Sequence, residues 1–156
     1  MKYSLLTKEQ FEELHPEFIN FLATQTITKQ EWDIIKEKQP EVAKQEMEIF
    51  SDLVWEGVLQ KAAYLENHSP DQLFLFKIEA SEMRLIVVKV SSDKIDLTTK
   101  DGLAWLQENI HSDEVALFTA SKGYSEDKNL DIFKLIQQGA NISKGILFEA
   151  FLKILP

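Results

Sequence analysis

The apolar period of this chain changes from about 3.6 residues in its first third to 2 in the stretch that follows, and this switch calls for helices leading into a sheet. Before the switch, Thr7 with Gln10 has the form of a capping box, and Phe11, Leu14, Phe18, Phe21 and Leu22 recur at helical spacing. Pro16 interrupts that helix, so a kink or restart near His15 and an end near Thr24 are expected. A second box, Thr28 with Glu31, opens a short helix carrying Trp32 and Ile35 that must stop before Pro40. Pro40 suits the first turn of a third helix, about 41–60, with Val42, Ala43, Met47, Phe50, Leu53, Val54, Gly57 and Val58 on one arc.

After the switch, Tyr64 and Leu65 suggest a weak strand, and Gln72–Ile78 and Met83–Val90 read as two strong ones joined by a hairpin turn at Glu79–Glu82. Both faces of these two strands are apolar, so the sheet is expected to be covered on much of both sides. Thr98, with Asp101 three residues on, is read as the cap of a helix through Leu103, Leu106 and Ile110. A fourth strand over 114–120, a loop over 121–125, a helix from Asp127 to Gln138 ended by Gly139, and a last helix from Lys144 to Leu155 complete the reading. The fold class is therefore α+β: one domain over residues 1–156, N-terminal helices packed on a mainly antiparallel sheet of three to four strands, and C-terminal helices. Five or six helices are expected in all.

Composition removes several function classes. The chain has no Cys, which excludes disulfides, thiolate nucleophiles and Cys-ligated metals. Its net charge is −9, and Arg84 is its single Arg, so it lacks both the field and the guanidinium forks that hold phosphates, and nucleic acid is not an expected partner. No apolar run reaches the roughly 20 residues that span a bilayer, and the N-terminus has no signal-length apolar stretch. A cytoplasmic protein with no membrane partner is expected.

Four segments carry a family likeness: Leu-Thr-Lys-Glu-Gln (6–10), Phe-Ile-Asn-Phe-Leu-Ala-Thr-Gln (18–25), Phe-Ser-Asp-Leu-Val-Trp-Glu-Gly-Val-Leu (50–59) and Thr-Ala-Ser-Lys-Gly-Tyr-Ser-Glu-Asp (119–127). Through them the chain resembles an uncharacterised family of small acidic bacterial proteins of flavobacterial type, known only as a domain of unknown function. The resemblance spans most of the chain and implies a single-domain cytoplasmic protein. It implies no activity, cofactor or catalytic residue.

The five glycines form no phosphate-binding or dinucleotide spacing, and no serine sits in a Gly-x-Ser-x-Gly elbow. The small polar loop 119–125 could offer hydroxyls and amides to an anion; the plainer reading is a surface turn in which Ser125 or Asp127 caps the next helix. Glu-x-x-His occurs twice, at Glu12 with His15 and at Glu108 with His111, which is half of a carboxylate-bridged di-iron site. Such a site needs four inward-facing helices, and the strand-rich block separates these motifs, so no metal and no cofactor is expected.

Two constellations remain. Projected at 100° per residue, Glu46 falls inside the apolar arc of the third helix, between Leu53 and Gly57, with His15 and Arg84 as candidate partners in a polar pocket. The plainer reading places Glu46 at the core rim, its head group in water or in an ordinary ion pair. Asp52 and Glu56 lie on the polar side and read as a solvated face. Trp55 and Leu59 on the same helix, and Trp105 on the helix after Thr99, lie off their apolar stripes. They nominate either a second packing layer or an interface, with a homodimer or another protein as partner. The functional expectation is a non-enzymatic binding or regulatory protein acting through a protein surface. The alternative is an enzyme or small-ligand binder whose pocket is organised by Glu46 with His15 or Arg84.

Overall fold

The computed structural model describes residues 1–155, and its contacts divide the chain into two compact units, Met1–Gln60 and Lys61–Pro156. The first unit is helical: α1 (Lys8–Glu13), α2 (His15–Ala23), α3 (Lys29–Lys38) and nearly all of α4 (Pro40–Lys61). Thr7 and Gln10 form the full reciprocal capping box at the start of α1. The break lies at Leu14, the residue before the His15–Pro16 pair that opens α2, because proline is tolerated in a first turn, where its missing N–H has no intrahelical acceptor to lose. Thr28 caps α3 by accepting from the Glu31 amide at 3.1 Å.

The core of this unit is aromatic. Phe18 sits among Phe11, Phe21, Trp32 and Phe50, with ring centroids 5.0–6.1 Å away and edge-on contacts to Phe11, Trp32 and Phe50. The buried side of α4 is not centred where the projection of its apolar residues puts it. Ala43, Phe50, Ser51 and Leu59 are buried, whereas Val42, Ile49, Leu53 and Val58 are exposed. Part of the reason is local: the segment before α1 runs along the Ser51–Glu56 side of α4, and Leu6 joins the aromatic cluster there.

The second unit holds a five-stranded antiparallel sheet in the order β4-β3-β2-β1-β5. Its strands are β1 (Tyr64–His68), β2 (Gln72–Ile78), β3 (Glu82–Val90), β4 (Val115–Gly123) and β5 (Asn141–Ser143), and its helices are α5 (Lys100–Glu108), α6 (Lys128–Gln137) and α7 (Ile146–Ile154). The expected count of three to four strands is corrected to five, because β5 is three residues long, too short to show a period, and lies between the positive-φ glycines Gly139 and Gly145. Among the described residues the helices number seven rather than five or six because α1 and α2 are separate. Thr99, not Thr98, caps α5, accepting from Gly102 N at 3.0 Å; Thr98 instead bonds Asp96 through its amide and hydroxyl.

One face of the sheet carries Leu73, Leu75, Ile86, Val88 and Val90, which form a continuous core with Leu97, Leu106, Phe148 and Phe151 from α5, α7 and the loop before α5. Arg84 and Lys77, opposite each other on β3 and β2, also reach α7: Arg84 lies 5.9 Å from the Phe148 ring centroid, and Lys77 Nζ is 3.2 Å from a Glu149 oxygen. That contact holds the Lys77 ammonium above its ordinary pKa. The opposite face is covered unevenly. Along the register row Leu65, Phe76, Leu85, Ala120, burial falls from complete at β1 to exposed at β4. The expectation that both faces are largely covered therefore fails at β4.

Candidate functional site

β4 is a long edge. It pairs with β3 over all nine of its residues, Val115 opposite Val90 through Gly123 opposite Glu82, and no other strand among the described residues pairs with it. The opposite edge, β5, is protected by its brevity. On β4, Ala116 and every residue from Phe118 to Gly123 are exposed, and Phe118 is 56% exposed. The strand contains no Pro, and its single charge is Lys122.

The direction of its polar groups follows from the ladder. Ser91 N donates to Glu114 O at 2.9 Å, so the backbone groups of Glu114 turn towards β3. In an antiparallel pair successive residues alternate sides, so Ala116, Phe118, Ala120 and Lys122 also bond inward, while Leu117, Thr119 and Ser121 turn their N–H and C=O groups away from the sheet. Val115 N, which also turns away, is bonded to Ser112 O at 3.1 Å. Side chains alternate with the same two-residue period, so Ala116, Phe118, Ala120 and Lys122 also share the thinly covered face.

That face continues into a groove of about 770 Å³ lined by Phe76, Met83, Leu85, Ala120, Tyr124 and Leu135, with Asp131 and Lys134 at its helical wall. Tyr124 closes one end by donating to Glu79 O, 2.6 Å away, and lying 3.0 Å from Glu82 O, which ties the strand end to the β2–β3 turn, and burial raises the pKa of its hydroxyl. The polar loop read as a possible anion site is largely strand: Ser121, Lys122 and Gly123 belong to β4. Ser125 donates through both its amide and its hydroxyl to Asp131, each at 2.7 Å, and Asp127 caps α6. A second groove, about 540 Å³, lies between α5 and α7, lined by Leu103, Ile110, Ala150 and Ile154 and flanked by Ile146, which is 75% exposed.

The residues nominated from the sequence are placed as follows. Glu46 is half-buried and accepts from Gln25 Nε2 at 2.7 Å; His15 is exposed at the start of α2. Arg84, in the other unit, faces Glu79 at 3.6 Å. Trp55 is half-buried against the aromatic cluster and donates from Nε1 to Ser4 O at 3.1 Å, and Leu59 is 1% exposed. Trp105 packs beside the sheet core. Glu12, Glu108 and His111 are exposed, and among the described residues no three His, Asp or Glu side chains converge as a metal cluster would require. No helix among them is long and apolar enough to cross a membrane.

A family model described as a family of unknown function (DUF6495) matches residues 1–156. The chain belongs to that family. No curated protein and no solved structure matches this DUF6495 member. Sequence reasoning missed the β4 edge because strand order is set by pairings distant in sequence. The available signal was modest: Phe118, an aromatic residue flanked by Ala116 and Ala120 in a strand poor in charge.

Proposed function

We propose that this DUF6495 chain is a non-enzymatic binding protein that engages another polypeptide through the β4 edge by strand addition. The observation that carries this reading is the edge itself: nine residues without Pro, exposed from Phe118 onward, with the backbone groups of Leu117, Thr119 and Ser121 directed outward. Long, bare edges invite pairing, and folds that do not use them usually blunt them with charges, bulges or a covering helix. An added strand gains main-chain hydrogen bonds along β4, and its alternate side chains lie beside Phe118 and Ala120, next to the apolar groove.

The test is photocrosslinking in the cells that make the protein, with a photoreactive phenylalanine analogue in place of Ser121 and, as a control of comparable exposure, in place of Ile34. A covalent adduct with a polypeptide at 121 that is absent at 34 is the expected result. No adduct at 121 removes the edge from consideration.

A further inference from the structure

The edge carries its own complement. Resting on the strand-addition reading, we propose that the polypeptide added to β4 is β4 of a second copy, paired antiparallel about a two-fold axis at Phe118, so that two sheets join into one.

Antiparallel pairing of identical strands places residue i opposite a residue whose number is a fixed sum minus i, and outward-bonding residues must face outward-bonding residues, so only even sums are allowed. Centring on Phe118 sets Phe118 opposite Phe118, Ala116 opposite Ala120 and Lys122 opposite Glu114 of the other copy. The last pair occurs twice by symmetry. Glu114 and Lys122 lie on the same face as Phe118, both are exposed, and neither side chain has an ion-pair partner directly opposite it, where Ser91, just past β3, and Met83 of β3 stand. Centring on Thr119 instead sets Lys122 opposite Ala116 and Glu114 opposite Tyr124, and centring on Leu117 sets Lys122 opposite Ser112 and Glu114 opposite Ala120. Among these neighbouring registers, the Phe118-centred one alone places opposite charges directly across.

Packing favours the same register. In a non-hydrogen-bonded pair the side chains approach closely, and here the two Phe118 rings meet with alanines on either side, which leaves room for both. The outward groups then bond Leu117 to Thr119 and Thr119 to Leu117 of the other copy, and Ser121 donates to Val115 O. The last bond needs only the Val115 carbonyl, which suits the engagement of its N–H with Ser112. Repulsion between two chains of charge −9 is spread over the surface and screened beyond about 8 Å at physiological ionic strength, whereas the two Lys122–Glu114 contacts lie within the interface.

The experiment is sedimentation velocity of the full chain over micromolar to millimolar concentrations, for wild type, Lys122→Glu, Glu114→Lys, the double reversal and Thr119→Pro. Wild type should dimerise. Each single reversal sets like charges opposite each other twice and should weaken the dimer roughly tenfold, and the double reversal should restore it. Thr119→Pro removes an outward N–H and should abolish the dimer, with circular dichroism reporting that the fold is kept. The reversals are exposed and leave the proposal testable if the proline variant misfolds. A wild type monomeric throughout overturns the second copy, as does a dimer that the double reversal fails to restore. A monomer that nevertheless crosslinks at 121 to a different polypeptide discards the second copy alone and keeps the edge. A dimer indifferent to Thr119→Pro, with no adduct at 121, discards both.

Discussion

Asp52 shows how a residue's task is hidden from helical periodicity. Its two carboxylate oxygens accept from the amides of Lys2 and Tyr3, at 2.8 and 2.9 Å, and one turn on, Glu56 takes the Tyr3 hydroxyl and the Lys2 ammonium. The sequence reading of these acids as a solvated face is corrected here. The projection reports which side of α4 is polar, but nothing in Met1–Leu6 has a period that would announce a chain lying on that side. Burial, and then the Glu56 hydrogen bond, push the Tyr3 phenol up from 10.0 to about 12. The sign follows. Between these values the unfolded chain loses the proton while the folded one keeps it, so the stability contributed by Tyr3 is complete below pH 10 and is lost as pH rises towards 12. Tyr3→Phe should cost about 1 kcal/mol at neutral pH and flatten the alkaline decline. Denaturant midpoints from pH 8 to 12, with phenolate absorbance followed in parallel, check this; a Tyr3 that ionises near 10 would refute it.

Elements were legible where local chemistry decides them. Both threonine caps at Thr7 and Thr28, the break before Pro16, and the bounds of β2 follow from proline, capping and alternation within a few residues. Thr98 and Thr99 were not separable, because both hydroxyls are in bonding reach of a helix start and the choice depends on Asp96: Thr98 holds its carboxylate, lowering its pKa, while Thr99 Oγ1 donates to its carbonyl. Tertiary surroundings also reverse the meaning of two helical glycines. A Cβ on Gly57 would meet nothing within 4 Å, whereas one on Gly102 would lie 1.8 Å from Asp96 O. Gly57→Ala should therefore stabilise by about 0.5–1 kcal/mol, the ordinary helix-propensity gain. Gly102→Ala should destabilise by roughly 2 kcal/mol or more, because a backbone carbonyl must move to admit the methyl group. Thermal melts of the two variants give opposite signs if this is right.

At the scale of the molecule, one domain over 1–156 is a proposal about cooperativity between the two compact units. Its support lies in the chain: α4 ends at Lys61 and β1 begins at Tyr64, leaving Ala62 and Ala63 between them, and Ala63 O already accepts from Ile78 N at 2.8 Å, so the connection is short. Cooperative unfolding gives one calorimetric transition whose measured and van't Hoff enthalpies agree. A mark in each unit makes the test decisive. Ser51 is 0% exposed, donates to Met47 O at 2.7 Å and accepts from Leu6 N at 3.1 Å, so Ser51→Ala strands a buried amide at a cost of about 1–3 kcal/mol. Gly102→Ala marks the sheet unit. If the chain is one domain, either substitution lowers the single transition and leaves it single. Two resolved peaks, with Ser51→Ala moving only one and Gly102→Ala only the other, would make the units separate domains.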